Sequence, residues 1–143
     1  MHAMSRRSLL TVAIAAGVLV IGPAYPALAE DVQVMLSGSQ EVPPVTSSGS
    51  GSGMISIRDD KTVSGSVTTT GVTGTMAHIH NGAAGKNGPV VMPLTKTGDN
   101  GWVVPPGAKL TDAQYTAFKA GDLYVNVHSA QHQGGEIRGQ LKP

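Results

Sequence analysis

The sequence predicts an all-β domain, an antiparallel Greek-key-like β-sandwich or barrel with one short helix near residues 110–120. Three observations lead to this fold class. Short segments of alternating apolar and polar residues recur along the chain, at the spacing of about 8–12 residues that is typical of sandwiches and barrels. Gly, Ser, Asn and Asp residues separate these segments, and these residue types favour turns. One segment only carries the capping signals of a helix.

Residues 1–29 are typical of a secretory signal peptide. Arg6 and Arg7 precede an apolar run from Leu9 to Ile21, and small residues at Ala27 and Ala29 fit a cleavage site. The 13-residue run is shorter than the about 20 residues that a membrane span needs, so we expect no membrane span after signal cleavage. A retained N-terminal anchor is the alternative. The export route stays open, because the paired arginines also fit a twin-arginine signal.

Residues 30–143 form the predicted mature domain, which we expect to be periplasmic or secreted. All nine acidic residues lie after position 29 while two of the ten basic residues precede it, so the mature net charge is close to −1 and no basic patch predicts a nucleic-acid partner. The chain contains no cysteine. Disulfides and thiolate metal sites are therefore excluded, and stability must come from the core alone or from the core and a bound metal.

The first part of the domain is predicted to contain a strand, a crossing segment and a hairpin. Val32–Leu36 is the first strand, and Ser47–Gly53 is predicted to be a loop. Glu41–Val45 contains two prolines, which remove two ladder donors, so we expect it at an edge or as a crossing segment. Met54–Arg58 and Thr62–Thr70 are predicted to form a hairpin. Its inward-facing residues are expected to be Ile55, Ile57, Val63, Gly65 and Val67.

The second part is predicted to contain five further strands, with a glycine-rich loop at Asn81–Gly88 and a turn at Gly98–Gly101. The strands are Thr75–His80, Pro89–Thr95, Trp102–Val104, Leu123–Ser129 and Glu136–Leu141. A helix is predicted before the last two, because Thr111 and Gln114 have the spacing of a capping box. Gly121 is placed to end this helix.

Four histidines are confined to two short segments. His78 and His80 alternate with Ala77 on a predicted strand, so both project from the face opposite the core. His128 ends a later strand and His132 follows it. We expect both sets on outward, polar faces, and three imidazoles converge if the two strands are neighbours.

These histidines predict a metal site. Imidazole suits copper and zinc, and we favour a copper ion held by His78, His80 and His128, with His132 as a candidate fourth ligand. Surface histidines, or histidines that link a loop to a sheet through hydrogen bonds, are the alternative. Met76 lies on the same face as His78 and His80, although methionine more often fills a core.

Five segments in this order resemble the chordin-type (CHRD) domain over about residues 32–141. They are Leu36–Pro44, Ala77–Gly82, Asn87–Val91, Leu123–His128 and Gly134–Leu141. The resemblance implies a β-sandwich-like domain of the kind found in exported microbial proteins and in the animal protein chordin. It implies no particular activity.

A fainter similarity is to the copper half of copper/zinc superoxide dismutases. This similarity implies copper ligands at His78, His80 and His128 and an anion-guiding role for Arg138. The sequence has no histidine between His80 and His128 and no cysteine, so at most a copper-only site is implied. Fold analogy of this kind does not establish an activity.

The function that these features favour is an exported metal-binding domain for copper carriage, storage or redox chemistry. One alternative is an extracytoplasmic protein-interaction or adhesive module, in which the histidines are structural and the partner is a protein. The other is a weak copper-only dismutase-like enzyme. We assign no catalytic residue and favour a non-enzymatic role.

Overall fold

The computed structural model describes residues 22–26 and 28–143. Most of the predicted signal peptide, including the apolar run Leu9–Ile21, lies outside the described residues. No helix within the described ranges is long and apolar enough to cross a membrane.

The described residues form nine strands and one α-helix. The strands are β1 (Ala29–Ser37), β2 (Ser50–Arg58), β3 (Val63–Thr70), β4 (Gly74–Asn81), β5 (Val90–Pro93), β6 (Thr95–Thr97), β7 (Gly101–Val103), β8 (Leu123–Ser129) and β9 (Ile137–Leu141). The helix α1 (Asp112–Lys119) connects β7 to β8. A single 3-10 turn, Gly38–Gln40, follows β1.

All nine strands belong to one antiparallel sheet in the order β5-β4-β8-β9-β1-β2-β3-β7-β6. Strands β5 and β6 lie at opposite ends of this order, yet only Leu94 separates them in the chain. The Leu94 N–H donates to the Ala77 carbonyl on β4, and Lys96 on β6 donates to the Gly74 carbonyl. The two edges of the sheet therefore meet, and the predicted antiparallel barrel with one short helix is confirmed.

The core fills the interior of this barrel and follows the alternation of the strands. On β1, Val32, Val34 and Leu36 are buried, whereas the residues between them are exposed. The hairpin of β2 and β3 is confirmed, since Ile57 pairs with Val63 across it and both are buried. Burying aliphatic side chains of this kind contributes about 1.5–3 kcal/mol each.

Two predicted segment boundaries are wrong. Ser50–Gly53 belongs to β2 rather than to a loop. Gly53 allows β3 to approach closely, because a Cβ at this position would collide with the backbone of β3. Pro89–Thr95 is divided into β5 and β6, because the buried Leu94 turns toward β4. The Glu41–Val45 segment crosses the barrel without joining a strand, as predicted.

The predicted helix is confirmed together with both of its ends. The Gln114 N–H donates to Thr111 Oγ1 over 3.2 Å, and the Thr111 N–H donates to Gln114 Oε1 over 2.9 Å. This reciprocal pair is the capping box. Gly121 follows the last turn with a φ of 79°, a conformation that glycine adopts without the steric cost of a Cβ.

Candidate metal centre

The four predicted histidines lie on or beside β4 and β8, which are neighbours in the sheet. In the register of these strands His78 pairs with Asn126, His80 with Tyr124 and Met76 with His128. Ala77, Ile79, Val125 and Val127 are buried in the core. The polar residues therefore share the opposite face of the sheet, as the alternation predicted.

The expectation that the histidines of this face point outward into solvent is wrong for His80 and His128, whereas His78 and His132 are partly exposed. His80 is 9% exposed and His128 is 6% exposed. Three stretches of non-strand chain contact this face: the loop 82–88 through Gly88 and the loop 130–136 through Gln133, and the crossing segment 41–45 through Glu41, which lies beside Asn126. Strand alternation indicates which side chains project from the face opposite the core. Whether that face is exposed to solvent depends on segments that are distant in the chain.

Three of the four predicted histidines are brought together. His78, His80 and His128 each offer a ligand atom, and these atoms all lie within 4.8 Å of one another. The shortest approach is 2.9 Å between His78 Nδ1 and His128 Nε2. His132 is not part of this group in the described chain; it lies in the loop after β8, where its backbone bonds to Ser129.

Backbone carbonyls determine the tautomers of two of these imidazoles. His80 Nδ1 lies 2.9 Å from the Gly88 carbonyl oxygen, and His128 Nδ1 lies 2.8 Å from that of Gln133. A carbonyl oxygen only accepts hydrogen bonds, so both Nδ1 atoms carry the proton. The lone pair of each Nε2 is therefore available, which is how outer partners commonly prepare histidine ligands for a metal.

The two Nε2 lone pairs differ in their surroundings. His128 Nε2 accepts a hydrogen bond from His78 Nδ1. His80 Nε2 is buried and has no hydrogen-bond partner among the described residues. An unpaired buried polar atom lowers the stability of the fold by about 1–3 kcal/mol. Of the two imidazoles, His80 therefore gains more from a bound ion that accepts its lone pair.

Burial also favours the neutral forms of His78 and His80. It is the largest cause that lowers the pKa of both His78 and His80, and the neighbouring histidines lower the pKa of His78 further. The Gly88 carbonyl acts in the opposite direction on His80. Because imidazole must be neutral to bind a metal, this shift extends the pH range in which the cluster can act as a ligand set.

Arg138 holds the loop that carries Gly88. The guanidinium is 1% exposed and donates hydrogen bonds to the carbonyls of Lys86 and Ala83, at 2.9 and 3.0 Å. It stacks on the ring of Tyr124, with 3.4 Å between the Arg138 Cζ and the ring centroid. The arginine is thus enclosed and its bonds are directed at the loop, so the implied anion-guiding role at an open site does not fit it.

Glu41 and Asn126 complete the polar layer. Strand alternation places Asn126 on the same face as His128, but neither residue was predicted to belong to the site. Glu41 is 4% exposed, and its Oε1 and Asn126 Oδ1 have no hydrogen-bond partner in the described part of the chain. Burial raises the pKa of Glu41 to about 7, against the opposing effects of Arg138 and Asn126. Glu41 lies in an irregular segment with two prolines, so no strand or helix periodicity predicts that its carboxyl group is buried. Its place in the family-like segment Leu36–Pro44 was the only sequence feature that pointed to it.

Comparison with known proteins finds one family. The family model of the CHRD domain matches residues 32–141, a range that includes the complete histidine cluster. No curated protein and no solved structure matches the chain at a significant level. The fainter similarity to the dismutases is not borne out.

Proposed function

The chain belongs to the CHRD-domain family, and on that premise we propose that it is an exported metal-binding β-domain whose favoured ion is copper. CHRD domains are typical of extracellular proteins, which supports a periplasmic or secreted location. The role would be copper carriage, storage or redox chemistry.

The histidine cluster is the observation that carries this proposal. Three ligand atoms within 4.8 Å of one another match the donor set of a metal site with an open position. Two nitrogen ligands about 2.0–2.1 Å from one tetrahedral ion lie about 3.3 Å apart, close to the 2.9 Å between His78 Nδ1 and His128 Nε2. The hydrogen bond between these two atoms places a proton on His78 Nδ1, so His78 would bind through Nε2 after a turn of its ring, or through Nδ1 after its proton moves to Nε2. With that change the residues present fit a metal ion.

The donor chemistry favours copper. Imidazole binds both copper and zinc, but divalent copper forms the more stable complexes with a given nitrogen site. The sequence has no cysteine, so the thiolate ligands of many structural zinc sites are absent. When bound, copper would supply Lewis acidity or one-electron redox chemistry.

The protein's own contribution is to hold and orient the ligands. The Gly88 and Gln133 carbonyls fix two imidazole rings, so little rearrangement is needed there. His78 must release its hydrogen bond to His128, because that bond occupies the lone pair that His128 would offer. His132 stays a predicted fourth ligand, on the loop whose Gln133 carbonyl positions His128.

Copper titration of the mature domain tests the proposal directly. His78→Ala, His80→Ala and His128→Ala should each weaken copper binding by more than the about 10–100-fold that loss of an outer-shell partner causes. His132→Ala should cause a smaller loss, because His132 lies outside the group of three. If the variant with all three cluster histidines replaced binds copper as tightly as the parent, the cluster is not the site.

The hydrogen bond between His78 and His128 favours a second candidate, a protein-interaction module in which the histidines are structural. In that case the parent domain would bind no copper. The alanine variants would lose the same amount of unfolding free energy with and without added copper. Titration and unfolding of the same variants separate the two functions. A dismutase-like activity is not proposed, since neither the comparisons nor the enclosed Arg138 supports it.

A further inference from the structure

We propose that the Met76 thioether is a further ligand of this centre and that it gives the centre a preference for copper(I). The inference rests on the proposed function, since it assigns an additional ligand and an oxidation state to the same site. It is carried by the position of Met76 in the sheet, by its exposure and by the chemistry of sulfur.

Met76 lies beside the cluster on the same face of the sheet. It precedes His78 by two residues on β4, so their side chains project in the same direction. It also pairs directly with His128 on β8, and the Cβ atoms of such opposite residues are about 4.5–5.5 Å apart. The thioether is therefore within reach of an ion held by His78 and His128.

The exposed fraction of the side chains on this face increases along β4 from His80 to Met76. We call the His80 side of the cluster its closed end and the Met76 side its open end. His80 is buried under the loop 82–88, His78 is partly exposed and Met76 is 51% exposed. Met76 does not belong to the hydrophobic core, in contrast to the buried Met92. Met35 and Met54 are exposed to a similar extent, so exposure only leaves the Met76 thioether accessible. The position of Met76 beside His78 and His128 is what distinguishes it from them.

Sulfur chemistry then indicates the oxidation state. A thioether is a soft ligand that selects copper(I), while imidazole binds both copper(I) and copper(II). A site with histidines at its closed end and Met76 at its open end would therefore accept both states and stabilise copper(I) more. Zinc gains little from a thioether, so Met76 also favours copper over zinc.

The test is Met76→Leu, which keeps side-chain size and apolar character and removes the sulfur. Met54→Leu is the matched control, because Met54 on β2 is 47% exposed and distant in the strand order. Copper(I) affinity would be measured without oxygen by competition with a chelator, and copper(II) affinity by titration. X-ray absorption of the copper(I) form would report whether sulfur is bound.

We expect Met76→Leu to lower copper(I) affinity at least tenfold, to change copper(II) affinity less than threefold and to remove the sulfur signal. A selective tenfold loss lowers the reduction potential of a one-electron centre by about 59 mV. Met54→Leu should change neither affinity. Unchanged copper(I) affinity in Met76→Leu, with binding still lost in His128→Ala, would overturn the Met76 assignment and leave the proposed function standing. Failure of the parent to bind either form would overturn both.

Discussion

Glu41 shows how one buried carboxyl group can make the stability of this domain depend on pH. Its pKa is about 7 in the folded chain, raised from 4.5 by burial, so the folded state keeps a proton between these pH values that the unfolded chain has lost. The free energy of unfolding therefore falls as pH rises through this window. A shift of this size corresponds to about 3 kcal/mol as an upper figure.

Glu41→Gln should remove this dependence. The neutral amide needs no proton, so we expect the variant to be more stable than the parent at pH 8 by about 1–3 kcal/mol and to lose most of that advantage at pH 5. Urea unfolding at both pH values measures the difference. Asp99→Asn, in an exposed turn, is the control. An equal stability difference at the two pH values would contradict the assignment to Glu41.

His78 and His80 change the pH dependence of stability in the direction opposite to Glu41. Burial lowers the pKa of His78 and His80, so below about pH 6.5 the unfolded chain binds protons that the folded chain resists. Their contribution therefore destabilises the fold as pH falls. Parent and Glu41→Gln share this contribution, so it cancels when the two are compared.

At the scale of elements, the loop 82–88 is positioned by the last strand. Arg138 donates to two of its carbonyls and Gln140 donates to a third, that of Gly82. The Gly88 carbonyl at the end of this loop then holds His80. A residue of β9 thus influences an imidazole of β4 although β8 lies between them.

Arg138→Met should separate this positioning effect from metal ligation. It leaves two loop carbonyls without donors, so we expect a stability loss of about 2–5 kcal/mol and a copper affinity about 10–100-fold lower. The exposed Arg58→Met serves as the control. Arg138→Lys, which keeps one donor, extends the comparison if the first variant does not fold. A folded Arg138 variant with parental copper affinity would show that the loop does not position His80.

Local signals in the sequence predicted most elements, and contacts between distant segments account for what it missed. The capping box at Thr111 and the strand Leu123–Ser129 were predicted from neighbouring residues, and both are confirmed. All seven residues of that strand are buried, because loops cover its second face. The cover over the histidines and the burial of Glu41 depend on loops that approach from elsewhere in the chain. The convergence of His78 and His128 was predicted only on the condition that their strands are neighbours, which the register confirms.

At the scale of the whole molecule, a bound metal would link β4 to β8 and add to the stability of the barrel. A ligand at 100 times its dissociation constant stabilises the folded state by about 2.7 kcal/mol. For a domain of this size we expect copper to raise the melting temperature by about 10 °C. Calorimetry with and without copper measures the shift. The variant with all three cluster histidines replaced should show none, and a parent that shows none would contradict metal binding by the folded domain.

The central place of β9 in the sheet determines when the domain can be completed. This strand, the last of the nine described, lies between β8 and β1, and it supplies Arg138 beneath the loop that holds His80. Synthesis proceeds from the N-terminus, so β8 and β1 are both synthesised before the strand that joins them. Closure of the barrel therefore depends on a strand that follows every histidine of the cluster in the chain. A message truncated before codon 137 would encode every histidine of the cluster and still yield no barrel to hold them.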